Sequence, residues 1–274
     1  MSQDSLPSIL RFDHVTVAFG SDVALADVSF EAFEGESRVI LGASGSGKTV
    51  LLKTALGLVK PDSGEVFAFG QNLTAMSERQ LFDIRSKIGM LFQESALFDS
   101  LTIEENVAYP LLNQKSIHCA PGQVLPRVEE TLEFVELGGT LEKFPSELSG
   151  GMKRRAAIAR AVVTEPPLVL YDSPTAGLDP ITAHTIITLL IKERDVKQTT
   201  TLLVTQRYQD GNLIANFRYN SKQGRLEPAR DGAGRAMPTT FMVLREGRLI
   251  FEGGQDELEE SKDPYISKFV KQRV

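Results

Sequence analysis

The sequence has little cysteine, no long apolar run and no excess of positive charge. Cys119 is the only cysteine among 274 residues, which excludes an internal disulfide and a cysteine-based zinc site. No apolar run approaches the ~20 residues that span a bilayer. The net charge of −6 gives no electrostatic reason to expect a nucleic-acid partner. The polar start, residues 1–8, lacks the layout of a signal peptide, so we expect a cytoplasmic chain that meets a membrane only through a partner.

The most informative stretch present is an apolar strand at 39–41, a glycine-rich loop and a helical pattern after it. The loop, GASGSGKT, has the spacing of a phosphate-binding loop, whose glycines turn backbone N–H groups toward phosphate oxygens. Lys48 would reach the β- and γ-phosphates, and the Thr49 hydroxyl would ligate Mg²⁺. A chance glycine-rich turn is the alternative, which the flanking strand and helix disfavour. The predicted nucleotide-binding residues here are Gly42, Ala43, Ser44, Gly45, Ser46, Gly47, Lys48, Thr49 and Val50.

Other candidate residues follow predicted strands or begin helices. Asp172 ends the apolar run LVLY and predicts a second Mg²⁺ anchor, against the alternative of a turn aspartate. Ser149, Gly150 and Gly151 begin a helix and would form a nest of N–H donors, or only an N-cap serine with two flexible glycines. Phe19 ends a strand and would stack on adenine, or would be an ordinary packed phenylalanine.

The predicted secondary structure changes along the chain. Strands and turns dominate up to about residue 93, a mainly helical stretch covers 94–165, and strands return at 168–171 and 199–205. This order predicts a helical subdomain inserted into an α/β core. Residues 207–240 are polar with no sustained period, so we expect a long loop or small excursion there. A β-hairpin follows at 241–251, and the tail has a helical pattern.

Together these motifs resemble the ATP-binding subunit of ABC transporters over about residues 8–254. GASGSGKT matches the Walker A motif, Gln93 the Q-loop, LSGGMKRR the family signature, LVLYD the Walker B motif, and AGLD the D-loop that ends in Asp179. The resemblance implies a P-loop NTPase (RecA-like) α/β core with an antiparallel β subdomain and an inserted helical subdomain. The implied domain covers 1–254, with its core at about 8–93 and 166–254, a polar insertion at 207–240 and a tail at 255–274.

The resemblance also implies a mechanism. Two such subunits, as a homodimer or pseudo-dimer, would close ATP and Mg²⁺ between one phosphate loop and the other chain's Ser149-Gly150-Gly151. Phe19 would stack on adenine, and Thr49, Gln93 and Asp172 would hold Mg²⁺. The loop of Gln93 would meet an integral-membrane permease at the cytoplasmic face of the inner (plasma) membrane. Stretches 90–111 and 145–161 are similar to the Mla phospholipid-transport branch, which implies lipid cargo and a lipid-binding substrate protein; other lipid or sterol importers also fit.

Two positions depart from the family pattern. Ser173 stands where the family has a glutamate that polarises the attacking water, and Gln206 stands where it has a switch histidine. Neither side chain replaces a base or a cation near neutral pH, and a lost base typically costs about 10²–10⁴ in rate. Three interpretations follow: a slow ATPase, a subunit whose partner carries the intact residues, or a dimer that binds ATP and hardly hydrolyses it. A regulatory module that binds ATP without hydrolysing it is an alternative from another class. The single cassette and the acidic net charge disfavour a soluble ABC protein that acts on ribosomes or DNA. The LSGGM motif disfavours a kinase or another P-loop NTPase.

Overall fold

The computed structural model describes residues 7–114, 116–229 and 238–271. The strands are β1 (Ser8–Phe19), β2 (Asp22–Phe33), β3 (Ser37–Leu41), β4 (Ser63–Ala68), β5 (Gln71–Asn72), β6 (Ile88–Leu91), β7 (Leu168–Asp172), β8 (Thr200–Thr205), β9 (Phe217–Asn220), β10 (Arg225–Pro228), β11 (Thr239–Arg245) and β12 (Arg248–Gly253). The helices are α1 (Lys48–Ala55), α2 (Glu78–Arg85), α3 (Ile103–Asn113), α4 (Pro121–Phe134), α5 (Gly150–Val162), α6 (Pro180–Lys197), α7 (Tyr208–Asn216), α8 (Gln255–Glu259) and α9 (Pro264–Lys271).

A six-stranded sheet with the order β12-β11-β3-β8-β7-β6 forms the centre of the fold. Its strands are parallel except β12, which runs antiparallel to β11. Every residue of β3, β7 and β8 is buried, as expected for parallel strands that are covered on both faces. Alternate residues of β3 reach opposite sides: Val39 and Leu41 belong to one apolar core and Ile40 to the other.

The antiparallel sheet β2-β1-β4-β5 covers one side, and helices cover the other. β1 and β2 pair along most of their length and carry alternating buried residues. Helices α3, α4 and α5 lie in sequence between β6 and β7 and share buried residues such as Val107, Val128 and Ala157. The predicted fold class is therefore confirmed, whereas the subdomain boundaries 94–165 stay a prediction.

Residues 208–228 differ from the irregular loop that the sequence suggested. They form α7 and the hairpin β9–β10. Apolar side chains of both elements, including Ile214, Phe217 and Leu226, pack against the core but follow no regular period. Polar groups of α6 also fix the hairpin, because Arg194 Nη2 donates to the Phe217 carbonyl at 2.9 Å and the Tyr219 amide donates to Asp195 at 2.7 Å. The rest of the predicted excursion, 230–237, lies outside the described residues.

The tail after β12 forms α8 and α9, and both helices pack back onto the core through Leu258, Ile266 and Phe269. No helix in the described ranges combines the length and the apolar character that crossing a bilayer demands.

Candidate functional site

The glycine-rich loop joins the end of β3 to the start of α1 at Lys48. Gly47 has φ of 103°, a left-handed conformation that favours glycine. A Cβ on Gly47 would lie 2.3 Å from the Ala24 carbonyl oxygen, and one on Gly42 would lie 2.5 Å from the Leu244 carbonyl oxygen. Larger residues would therefore push the loop away from its neighbours, and the loop encloses the N-terminus of α1 as a phosphate site requires.

The ammonium group of Lys48 lies inside this loop. Its Nζ donates to the carbonyl oxygens of Gly42 and Ala43, at 2.7 Å each, and the residue is 6% exposed. Burial lowers the pKa of Lys48 to about 8, although the charge of Asp172 acts in the opposite direction. The loop thus holds a positive charge that is poorly solvated and suited to an incoming phosphate.

Asp172 ends β7 directly beside α1. Thr49 Oγ1 donates to Asp172 Oδ2 at 2.8 Å, and Ser173 Oγ donates to Oδ1 at 3.0 Å. Asp172 is buried. A carboxylate and a threonine hydroxyl in contact offer two oxygen ligands to a hard cation. Ser173 adopts φ of 49° and directs its proton at Asp172, so its hydroxyl is not oriented as a base.

Gln206 follows the last residue of β8 and is exposed. Asp210, four residues further along the chain, is a buried carboxylate whose Oδ2 accepts hydrogen bonds from Thr175 Oγ1 at 2.6 Å and Thr205 Oγ1 at 2.8 Å. Burial raises the pKa of Asp210. This carboxylate therefore joins the loop after β7 to the end of β8.

Ser149 begins α5 as its N-cap, and its Oγ accepts from the Met152 amide at 3.3 Å. Ser149 and Gly150 are exposed. Among the described residues, no hydrogen bond joins 149–151 to the loop at 42–49. One chain therefore presents these N–H groups outward and does not direct them at its own phosphate loop.

Arg154, one turn further along α5, connects the segment after β6 to the loop after β7. Its guanidinium donates to the backbone carbonyls of Gln93, Phe92 and Ala176, the last two at 3.3 and 3.5 Å. Burial lowers the pKa of Arg154. The Gln93 side chain is exposed at the end of β6, so Arg154 fixes the backbone on which Gln93 is carried.

The two remaining predicted residues are exposed. Phe19 ends β1 with 57% of its surface exposed, which leaves a face of the ring available. Asp179 caps α6, and its Oδ1 accepts from the amides of Ile181 and Thr182 at 3.1 and 3.0 Å. Hydrogen bonds from the Thr182 side chain and amide lower the pKa of Asp179.

A profile of the ABC transporter family matches residues 25–176, a range that holds the phosphate loop, Gln93, the signature and Asp172. This chain belongs to the ABC transporter family. It is the ATP-binding subunit of such a transporter and an ATPase, as the sequence predicted.

Relatives of the ABC subunit match over nearly all of its length. The intermembrane phospholipid transport system ATP-binding protein MlaF of Haemophilus influenzae is 31% identical over 264 residues, covering 96% of this chain and 90% of its own. MlaF of Escherichia coli K12 is 31% identical, with coverage of 98% and 90%. The probable ribonucleotide transport ATP-binding protein mkl of Mycobacterium leprae is 32% identical, with coverage of 94% and 67%.

Solved structures agree with the fold. The dimeric structure of a post-hydrolysis state of the ATP-binding cassette MJ0796, bound to ADP and Pi, has a TM-score of 0.73 and 30% identity, covering 89% of this chain and 97% of its own. CbiO1 of Clostridium perfringens, part of the ABC transporter complex cbiONQ, has a TM-score of 0.73 and 25% identity, covering 97% and 96%.

In this ABC subunit the structure brings Lys48, Thr49, Asp172 and Ser173 together through direct contacts or a shared loop. Arg154 and Asp210 were missed by the sequence reasoning. An arginine within an otherwise apolar helical face was a usable signal for Arg154, since such a charge needs buried partners. Nothing in the polar run after Thr205 distinguished Asp210 from a surface aspartate.

Proposed function

We propose that two copies of this chain close around two ATP molecules and that this cycle drives a membrane permease for lipid transport. In each site, the loop at 42–50 of one chain would hold the triphosphate, and Ser149, Gly150 and Gly151 of the other would complete it. Phe19 would stack on adenine, and Asp179 would lie at the interface. The exposed position of the signature supports this proposal, as does the dimeric state of the MJ0796 structure. Ile181, beside Asp179, is a further apolar side chain with 81% of its surface exposed.

Mg²⁺ fits the oxygens at the end of β7. Thr49 and Asp172 are already in contact, and we propose that both hold the ion, directly or through water, together with Gln93. When bound, Mg²⁺ neutralises charge on the phosphates. Among the described residues no group of three or more histidine, cysteine or acidic side chains could hold a metal ion, so phosphate oxygens and water would supply the other ligands.

We propose that hydrolysis is slow. The Ser173 hydroxyl donates a hydrogen bond to Asp172, and serine has no carboxylate that could accept a proton from water. Gln206 can donate a hydrogen bond to a phosphate but carries no charge. Positioning and metal binding supply most of phosphoryl-transfer catalysis, so a residual rate would remain. The same two residues favour the second candidate, a regulatory module that binds ATP and leaves hydrolysis to a partner with intact residues.

The cargo proposal rests on the MlaF relatives, whose name describes phospholipid transport. The mkl relatives are named for ribonucleotide transport, and other lipid or sterol importers remain alternatives.

A cleft of about 280 Å³ beside the Gln93 loop, lined in part by Phe92, Phe98 and Tyr109, supports contact with a permease. We place the subunit peripherally at the cytoplasmic face of the membrane, with a lipid-binding substrate protein as a further partner and no nucleic acid.

The geometry of Lys48 carries the nucleotide-binding part of the proposal. Lys48→Ala removes the only buried ammonium group of the loop, and we expect ATP affinity to fall by at least about 100-fold. Isothermal titration with Mg²⁺ and ATP measures it. Lys53→Ala is the matched control, since Lys53 is exposed one turn further along α1. Retained ATP affinity in Lys48→Ala would refute the assignment of the loop.

Gly150 offers a test of the dimer. A Cβ at Gly150 meets no atom of its own chain within 4 Å, so Gly150→Asp should fold normally. We expect the wild-type chain to sediment as a dimer with ATP and Mg²⁺, and Gly150→Asp to remain a monomer. A variant that dimerises as well as wild type would show that the signature does not face a partner copy.

A further inference from the structure

Helix α9, at the end of the chain, is fixed on the core at its first turn. Asp263 Oδ1 accepts hydrogen bonds from the amides of Tyr265 and Ile266, at 2.6 and 3.3 Å. Ile266 and Phe269 are buried in the core cluster. The start of α9 is therefore held by both a cap and apolar packing.

Tyr265 points back toward the nucleotide site from this turn. Its ring meets the edge of Phe269 at a centroid distance of 5.3 Å and an interplanar angle of 76°, and the Arg245 guanidinium lies 5.2 Å from the ring centroid. An edge-to-face aromatic pair and a cation over the ring both restrict its orientation. The hydroxyl group therefore has a defined position.

That hydroxyl bridges the phosphate loop and the neighbouring strand. It accepts a hydrogen bond from the Ala43 amide at 3.0 Å and donates one to the Leu244 carbonyl at 3.3 Å. Ala43 lies beyond Leu41, the last residue of β3 that pairs in the sheet, so no strand supplies an acceptor to its N–H. A side chain from the far end of the sequence supplies it.

The peptide unit between Gly42 and Ala43 is held at both ends. Its N–H donates to Tyr265, and its carbonyl, on Gly42, accepts from Lys48 Nζ at 2.7 Å. A rotation of this peptide would break both hydrogen bonds. The orientation of the Lys48 ammonium group is thus tied to the Tyr265 hydroxyl through one rigid, planar unit.

We propose that Tyr265 is a positioning residue for ATP binding, which sets the first peptide of the phosphate loop and through it Lys48. The tail is then part of the nucleotide site and not an appendage after the domain. This inference rests on the proposed binding of ATP at residues 42–50.

Tyr265→Phe tests it, because phenylalanine keeps the ring contacts and removes only the hydroxyl. We expect the Kd for ATP, measured by titration calorimetry with Mg²⁺, to rise about three- to tenfold, as the loss of one hydrogen bond predicts. The KM for ATP should rise by a similar factor while kcat stays within about twofold. The thermal midpoint should change little, because the packing of α9 is retained.

Two controls separate this role from a structural one. Ile266→Val weakens the packing of α9 but keeps the hydroxyl and both ring contacts of Tyr265, and Tyr219→Phe removes a hydroxyl from the β9–β10 hairpin. Both should keep the wild-type Kd. An unchanged Kd in Tyr265→Phe would overturn the inference, as would an equal rise in Ile266→Val. If the wild-type chain binds no ATP, the proposed function itself is wrong. If wild type binds ATP and Tyr265→Phe binds it equally well, only this inference is wrong.

Discussion

At the scale of single residues, the proposal of slow turnover rests on Ser173 and Gln206. We expect the double variant Ser173→Glu with Gln206→His to hydrolyse ATP at least about tenfold faster, because it restores a carboxylate beside Asp172 and a titratable ring at the end of β8. Phosphate release from the assembled complex measures the rate.

The control for that experiment is Ser173→Gln with Gln206→His, which matches the side-chain size without a carboxylate. It should stay near the wild-type rate. If both double variants hydrolyse at the wild-type rate, the catalytic step depends on other residues and the account of slow turnover is wrong.

Glu193 gives a second prediction, on stability. It is buried in α6, and Thr199 Oγ1 donates to it at 3.2 Å. Burial raises the pKa of Glu193 to about 7. The folded state therefore retains a proton that the unfolded chain loses near its ordinary pKa, so the stabilisation is complete at low pH and is lost as pH rises to about 7.

We expect the free energy of unfolding of wild type to fall relative to Glu193→Gln between about pH 5 and 8, by on the order of 2–3 kcal/mol. Urea denaturation across this pH range measures it. The exposed substitution Glu129→Gln controls for the loss of a carboxylate. Parallel pH profiles of wild type and Glu193→Gln would contradict the prediction.

Many parts of the candidate site could be predicted from the sequence because the residues that define them are neighbours along the chain. The strand, the glycines and Lys48 occupy consecutive positions, and Asp172 ends a continuous apolar run. Arg154, Asp210 and Tyr265 act through contacts with segments 22 to 222 positions away, or through burial. Such contacts depend on the tertiary arrangement. A local pattern indicates only that Arg154 needs buried partners, and none distinguishes Asp210 or Tyr265.

At the scale of elements, the β9–β10 hairpin depends on α6. Arg194 is 1% exposed and donates to the carbonyls of Ile214, at 2.6 Å, and Phe217. We expect Arg194→Met to lower the free energy of unfolding by about 3–5 kcal/mol, because it leaves buried carbonyls and the Asp195 carboxylate without their partner.

Arg225→Met is the matched control, since Arg225 is an exposed arginine of the same hairpin. It should change stability by no more than about 0.5 kcal/mol. Chemical denaturation compares the two variants. Equal effects would mean that the buried arginine does not anchor the hairpin.

The apolar patterns of the elements explain why some of them could be predicted from the sequence and others could not. The hairpin β11–β12 and the strands β3, β7 and β8 follow apolar patterns of period two or continuous runs, and the sequence predicted them. The apolar residues of segment 208–228 that pack on the core follow no regular period, and Arg194 and Asp195 supply part of the contacts that hold it.

At the scale of the whole molecule, an exposed aromatic pair lies beside the Gln93 loop. Phe98 and Tyr109 are 42% and 40% exposed, with ring centroids 4.7 Å apart. We expect Phe98→Asp to reduce the permease that co-purifies from membranes by at least about tenfold, because it places a charge in an apolar contact. ATP affinity should stay at the wild-type value.

Phe82→Asp is the control, because Phe82, on α2, is more exposed, at 64%, and does not line this cleft. It should recover as much permease as wild type. Equal recovery with Phe98→Asp would place the membrane partner elsewhere on the surface.

Asp210 gives the assembled molecule a further property. One oxygen of this carboxylate accepts from Thr175, four residues before Asp179, and from Thr205, one residue before Gln206. A shift of either loop would break a hydrogen bond to this shared carboxylate. A change at the end of β8 would therefore reach the loop that carries Asp179, and in the proposed dimer the two sites would not complete their cycles independently.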